Sequence, residues 1–170
     1  MKKFAVLAAI AFVILMIALF AAHRQSQTGK EAGPPMPRFA SLRSGEANMR
    51  TGPGTRYPIE WVYKHATLPV EIVAKDDDDI WRRVRDSDGA EGWMHKTELS
   101  GKRTGVVTGG AHDLRHKSED TAAIVAHVEP GAVGQLMSCA KDWCKLKFDS
   151  VKGYLRKTDF WGAYPDETFD

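Results

Sequence analysis

The sequence lacks several common catalytic motifs. It has no Gly-x-Ser-x-Gly nucleophile turn, no His-Glu-x-x-His zinc motif and no glycine-rich phosphate loop. His112 and His116 lie four positions apart, but their segment is typical of strand and loop, so they are not expected to share a metal as two histidines on a helix can. We therefore predict a protein that is not an enzyme and that uses no cofactor and no metal.

An excess of charge of one sign is also missing. The chain has 24 basic and 22 acidic residues. Two of the basic residues, Lys2 and Lys3, precede a long apolar run, and beyond them the two signs balance. Because nucleic-acid-binding proteins carry a strong basic excess, we predict no nucleic-acid partner.

The apolar run covers residues 4–22 and contains no charge. As a helix it would be about 28 Å long, close to the hydrocarbon thickness of a bilayer, whereas the core of a signal peptide has only about 7–15 residues. A cleavage site needs small residues one and three positions before the cut, and Leu19 and Phe20 occupy the third position for cuts after Ala21 and Ala22. We predict that residues 1–22 are an uncleaved membrane anchor, with a cleaved signal peptide as the alternative. Either one exports the remainder to the periplasm.

The rest of the chain indicates a flexible linker and then an all-β fold. Residues 23–38 are polar and end in prolines, which favours an unfolded tether. Short alternating segments between glycine-rich turns follow, with no helical period except one turn near residues 96–99, and this pattern predicts small, twisted β-barrels. We place two domains at 39–103 and 104–165. An acidic tail, 166–170, is expected to fray.

An internal repeat supports two domains. The segment Asn-Met-Arg-Thr-Gly-Pro-Gly at 48–54 returns in reduced form as Asp-Leu-Arg at 113–115. A tryptophan strand and a Gly-aromatic-aliphatic triplet follow each copy, at the positions 81–85 and 92–94 in the first, and 143–147 and 153–155 in the second. The offset between equivalent residues changes only from 65 to 61, as expected where loops differ in length.

The first copy resembles a bacterial SH3 domain, through residues 47–58, 81–84 and 92–94, and the second resembles a divergent one that lacks the Gly-Pro-Gly loop. The resemblance implies tandem SH3-like β-barrels that bind peptidoglycan or its peptides in the cell envelope. It also implies that the loop at residues 50–57 borders the ligand groove. The residues that the resemblance assigns to ligand binding are Arg50, Tyr57, Trp81 and Trp93, with Trp143 as the counterpart of Trp81 in the second copy.

Other interpretations of these residues remain open. Side chains alternate along a strand, so Trp81 and Trp143 share a face with cations and lie opposite Val84 and Leu146. They can stack on a ligand, close a barrel or pack between the two domains. Arg50 can equally serve only to tie down its loop by hydrogen bonds. For the whole protein, the alternative function is a periplasmic scaffold or sensor subunit that binds a protein partner through these tryptophan and cation surfaces.

The two cysteines, Cys139 and Cys144, are expected to form a disulfide bond. They flank a four-residue hairpin connection, so they can lie opposite each other on neighbouring strands. Export would place them in an oxidising compartment. The predicted bond pins this hairpin.

Overall fold

The structure, a computed structural model, describes residues 35–170. The predicted anchor at 1–22 and almost all of the predicted linker at 23–38 lie outside the described residues. Residues 36–170 form one compact unit. Within the described part of the chain, no helix has the length and apolar character needed to cross a membrane.

The described residues form fourteen strands and two single-turn 3-10 helices, Lys96–Glu98 and Lys157–Asp159. The first half contains β1 (Arg38–Leu42), β2 (Ala47–Arg50), β3 (Ile59–Tyr63), β4 (Pro69–Lys75), β5 (Trp81–Arg85), β6 (Glu91–His95) and β7 (Leu99–Ser100). The second half contains β8 (Thr104–Val107), β9 (His112–Arg115), β10 (Ile124–Val128), β11 (Val133–Ala140), β12 (Trp143–Phe148), β13 (Val151–Arg156) and β14 (Phe160–Trp161). The predicted all-β class is confirmed.

The two halves have the same topology. Each forms one seven-stranded sheet, in the order β3-β2-β6-β5-β4-β1-β7 and β10-β9-β13-β12-β11-β8-β14. Strands β1 to β7 therefore correspond one by one to β8 to β14. In both sheets the third and seventh strands are the two edges of the hydrogen-bonded ladder.

Each sheet encloses its own hydrophobic core. Met49, Val84 and Met94 are fully buried in the first, and Leu114, Leu146 and Leu155 fill the same strand positions in the second. The glycine of the repeated triplet is explained by this packing. A Cβ atom on Gly92 would lie 2.5 Å from Met49 Cγ, so the core side chain passes where any other residue would place its Cβ.

Aromatic residues join the two sheets. The buried Phe39 ring lies 4.9 Å from the Trp161 ring and 4.8 Å from the Tyr164 ring, measured between centroids. The Tyr164 hydroxyl also donates to Glu71 Oε1 at 2.8 Å. Because such rings bury much area per residue, this cluster holds the two copies together within the compact unit.

The C-terminal tail is ordered against the second sheet, so the expectation that it frays is wrong. The Cys139 N–H donates to the Phe169 carbonyl at 2.8 Å, and the Phe169 N–H donates to the Cys139 carbonyl at 3.0 Å. The Phe169 side chain packs on the second core. Its apolar ring and paired backbone outweigh the acidic composition from which fraying was inferred.

Candidate ligand-binding surface

A row of four side chains crosses the outer face of the first sheet. Arg50 in β2 lies opposite Ile59 in β3 and Trp93 in β6, and Trp93 lies opposite Arg83 in β5. Directly opposed residues on neighbouring strands point to the same face of a sheet. The first outer row, Ile59-Arg50-Trp93-Arg83, therefore places an indole between two guanidinium groups, on the face away from the core.

The second sheet carries the same row. Arg115 lies opposite Ile124 and Tyr154, and Tyr154 lies opposite Lys145. The Lys145 ammonium is 5.7 Å from the centroid of the Tyr154 ring. This second outer row, Ile124-Arg115-Tyr154-Lys145, repeats the order aliphatic, arginine, aromatic, cation in a copy that has lost the Gly-Pro-Gly loop. Both isoleucines are exposed, at 45% and 48%.

Arg50 holds the loop that follows its strand. Its Nη1 donates to the Tyr57 carbonyl at 2.7 Å and to the Thr55 carbonyl at 3.2 Å. Arg115 does the same in the second copy, where its Nη1 donates to the Ala122 carbonyl at 3.0 Å. The structural role left open for Arg50 is thus present, and its role in ligand binding stays a prediction.

Tyr57 packs against its own loop. A Cβ atom on Gly52 would lie 2.5 Å from Tyr57 Cδ1, so the glycine allows the ring to lie flat on the backbone. The guanidinium carbon of Arg56 is 5.2 Å from the ring centroid. Tyr57 is half-buried and meets Arg50 through its carbonyl. The role of Tyr57 in ligand binding stays a prediction.

Trp81 and Trp143 lie beside the outer rows and contact neighbours on the same face. Trp81 opposes His95 across β5 and β6, with ring centroids 5.3 Å apart in an edge-to-face arrangement. Trp143 opposes Arg156, whose guanidinium carbon lies 4.6 Å from the ring centroid. Arg156 is itself held by Asp120. The two tryptophans do not form the aromatic cluster between the sheets, which Phe39 and its partners make instead.

Carboxylates lie at one end of the first outer row. Glu91 Oε2 is 2.8 Å from Arg83, and its other oxygen is 2.6 Å from Arg85. Arg85 also pairs with Glu71 at 3.1 Å. Hydrogen bonds from Arg85, with help from Arg83, hold the pKa of Glu91 below its usual range. Glu91 therefore stays ionised and partly neutralises this end, which leaves the other guanidinium of the row, on Arg50, as its more cationic part.

The sequence reasoning missed the apolar edge strands. Trp61 in β3 is 54% exposed and Val62 is also exposed. In β10, Ile124 and Val125 are exposed in the same way. The sequence signal for β3 is the weak alternation at residues 60–63, which does not distinguish an exposed edge strand from a half-buried one.

The predicted disulfide is confirmed. Cys139 and Cys144 lie opposite each other at the end of the β11–β12 hairpin, with Cα atoms 4.1 Å apart. Both residues are buried in the second core. Among residues 35–170, no cluster of His, Cys, Asp and Glu side chains has the arrangement of a metal site.

Comparisons with known proteins identify the family. The bacterial SH3 domain model matches residues 43–101 and 112–162, and no curated protein matches the chain. Among solved structures, the chain is similar to NlpC1 from Trichomonas vaginalis, with 10% identity, a TM-score of 0.35 and coverage of 78% of this chain and 48% of that one. It is also similar to an NlpC/P60 family protein from Bacillus cereus ATCC 10987, with 16% identity, a TM-score of 0.33 and coverage of 74% and 57%.

The chain spans about half the length of these solved proteins. Their likeness is too low to support an argument about function. The family model, by contrast, matches two separate segments that together cover more than half of the sequence, one in each sheet. The chain belongs to the bacterial SH3 domain family, as two tandem copies.

Proposed function

We propose that the protein is a non-catalytic binding protein of the cell envelope, in which each copy acts as an SH3-like module that recognises peptidoglycan or its peptides. The observation that carries this proposal is the repetition of the outer row, in the same register, in both sheets. Nothing in core packing requires an aromatic side chain between two cations on the face away from the core. A common ligand chemistry accounts for finding it twice.

The row suits a carboxylate-bearing peptide. Cations pair with carboxylates through charge-assisted hydrogen bonds, and the flat faces of Trp93 and Tyr154 can stack on peptide groups. The exposed Ile59 and Ile124 add apolar contact at the far end of each row. Peptidoglycan stem peptides offer carboxylates, amides and methyl groups within a few bonds of one another.

Two similar sites in one compact unit favour a polymeric ligand. When one site is engaged, the second meets its ligand at a high effective concentration, which can raise avidity by about 10²–10⁴ without new contacts. Cell-wall polymer presents many copies of one peptide, so two weak sites suffice. In this proposal residues 1–22 anchor the chain in the inner membrane, and the linker from residue 23 holds the module away from it; because Arg38 begins β1, the linker ends at residue 37, one residue before its predicted end.

Pelleting with purified sacculi tests the proposal. The full chain, kept in mild detergent, is expected to pellet with sacculi, and the double variant Trp93→Ala/Tyr154→Ala is expected to stay in the supernatant. Trp61→Ala is the matched control, because it removes an exposed indole that lies outside both rows. Equal pelleting of the double variant and the wild type would rule out the rows as the binding surface. Release of soluble muropeptides would contradict the non-catalytic assignment.

A second candidate, a scaffold or sensor subunit that binds a protein partner, is favoured by the apolar edge strand β3. An exposed edge with Trp61 and Val62 can accept a strand from another protein. In this case cross-linking in cells would give a defined adduct that is lost in Trp61→Lys. Pelleting with sacculi would then be absent in the wild type as well.

A further inference from the structure

The C-terminal tail occupies one end of the second sheet as a ligand would. Arg103 donates from both terminal nitrogens to the Glu167 carboxylate, with the Nη2 to Oε2 distance at 2.9 Å. Lys157 Nζ donates to the carbonyls of Pro165 and Glu167, at 2.9 and 2.6 Å. Phe169 then pairs with the backbone of β11. Two cations and a strand edge thus bind an acidic segment that turns at residues 165–166 and pairs with β11 at Phe169.

The tail contact also stabilises the charge of its carboxylate. Burial alone would raise the pKa of Glu167, but the hydrogen bonds from Arg103 and the Tyr164 N–H, together with the charges of Arg103 and Lys157, more than offset this, and the pKa lies below its usual range. The Arg103 guanidinium carbon lies 5.4 Å from the Phe169 ring centroid. One arginine therefore contacts both the acidic residue and the aromatic residue two positions later.

The first copy has cations at the positions equivalent to Arg103 and Lys157. In β1, Phe39 opposes Glu71 as Thr104 opposes Gln135 in the second copy, so Arg38 corresponds to Arg103. Lys96 follows β6 as Lys157 follows β13. Between them lies a cavity of about 210 Å³, here called the first-copy pocket, which is lined by Arg38, Ala40, Ile72, Arg82, Lys96, Leu99, Ser100 and Gly101.

The first-copy pocket is more cationic than its counterpart. Arg82 opposes Met94, so it points to the core side of β5, and it takes the strand position that Cys144 holds in the second copy. No acidic side chain lines the pocket. Outside the lining, the Asp79 carboxylate contacts Arg82 at 3.1 Å and lies 3.9 Å from Lys96. Burial, and then repulsion from Arg82, lowers the pKa of Arg38. An added carboxylate would relieve this repulsion.

A strand edge is also available beside the pocket. Strand β1 begins at Arg38, opposite Ile72, and among residues 35–170 no strand pairs with β4 on that side beyond this point. The Asp76 N–H donates to the Trp81 carbonyl. In the alternating antiparallel pattern, the preceding residue, Lys75, therefore directs its backbone groups away from β5. Lys75 corresponds to Cys139, the residue that pairs with the tail in the second copy.

We propose that the first-copy pocket binds an acidic peptide segment of a protein partner, in which a carboxylate side chain precedes an aromatic residue by two positions. Arg38 and Lys96 hold the carboxylate end, and the edge of β4 pairs with the backbone near the aromatic residue. The proposal is independent of the outer rows, because Arg38 and Arg82 lie on the core side of the sheet and the rows lie on the opposite side. The chemistry of the peptide follows from the tail, because the second copy binds Glu167 and Phe169 at the equivalent place.

A labelled synthetic peptide of residues 164–170, Tyr-Pro-Asp-Glu-Thr-Phe-Asp, is the probe. In fluorescence anisotropy with the full chain, we expect saturable binding. Arg38→Gln in the protein, Lys96→Gln in the protein, and Glu167→Gln in the peptide should each weaken it by about tenfold or more, as expected for the loss of a hydrogen bond to a charged group. The matched control is Lys64→Gln, which removes an exposed cation outside the first-copy pocket and both outer rows and should leave peptide binding unchanged.

Two results would overturn the proposal. One is the absence of binding up to about 1 mM peptide, where even a weak specific complex would form. The other is binding that survives both Arg38→Gln and Lys96→Gln but is lost in Arg103→Gln, because the peptide would then only replace the tail in the second copy. Pelleting with sacculi should be unaffected by Arg38→Gln, so this test and the test of the outer rows can fail separately.

Discussion

The contact between the two sheets depends on Phe39, and its removal has a calculable effect. Phe39 is only 6% exposed and lies against the rings of Trp161 and Tyr164. Truncation of a buried Phe to Ala costs about 3–5 kcal/mol. We expect the lower end, about 3 kcal/mol, because the contact lies between the two sheets, outside both cores, and its neighbours can relax. For a unit of this size the corresponding fall in Tm is about 10 °C.

Thermal and urea unfolding of the full chain, followed by circular dichroism, measure this effect. Phe148→Ala is the matched control, because Phe148 packs on the second core and belongs to one sheet alone. In a double-mutant cycle, Phe39→Ala and Trp161→Ala should couple by about 1 kcal/mol or more, as packed aromatic pairs do. Phe39→Ala and Phe148→Ala should add within about 0.5 kcal/mol. Additivity of the first pair would refute the reasoning, since the two rings would then not be in contact.

Three further predictions concern stability. Replacing Cys139 and Cys144 by Ser should lower the free energy of unfolding by about 2 kcal/mol, the entropy of closing so short a loop, measured against the oxidised wild type in urea; an unchanged midpoint would count against the bond. Despite burial, hydrogen bonds from Arg103 and the Tyr164 N–H and the charges of Arg103 and Lys157 keep the pKa of Glu167 below its ordinary 4.5. The stability that this carboxylate contributes is therefore complete above pH 4.5 and is lost as the pH falls through the folded pKa. A Glu167→Gln variant should therefore show a shallower loss of Tm below pH 4.5, and parallel curves would contradict this. Gly92→Ala should cost about 1–3 kcal/mol through overpacking against the core, whereas Gly45→Ala, with open space around it, should leave Tm nearly unchanged.

The candidate site was predictable in part. Alternation along β5 correctly placed Trp81 and Arg83 on one face and Val84 on the other, because the period of a strand is two regardless of what surrounds it. The pairing of Arg50 with Trp93 was not predictable, since it depends on the register between β2 and β6, which are distant in sequence. The alternation within one strand specifies which face a side chain lies on. Only the pairing of strands specifies which side chains are its neighbours across the sheet.

The order of the C-terminal tail could not be predicted from its local sequence either. Its composition, with Asp166, Glu167 and Asp170, predicts a solvated end of the chain. Arg103 lies 64 positions earlier, and nothing in the local sequence of either segment indicates that they meet. One of these charges, on Glu167, is bound by Arg103, and Lys157 binds the backbone carbonyls of Pro165 and Glu167 beside it.

By itself, the amino-acid sequence determined the all-β class, the duplication and the disulfide, because these follow from alternation, spacing and residue type within short stretches. The tertiary structure decided which residues meet: the outer rows, the aromatic cluster around Phe39, and the pocket that the tail fills in one copy and leaves open in the other. Such contacts join strands from distant parts of the chain. Their energies depend on register and burial, which a linear pattern does not contain.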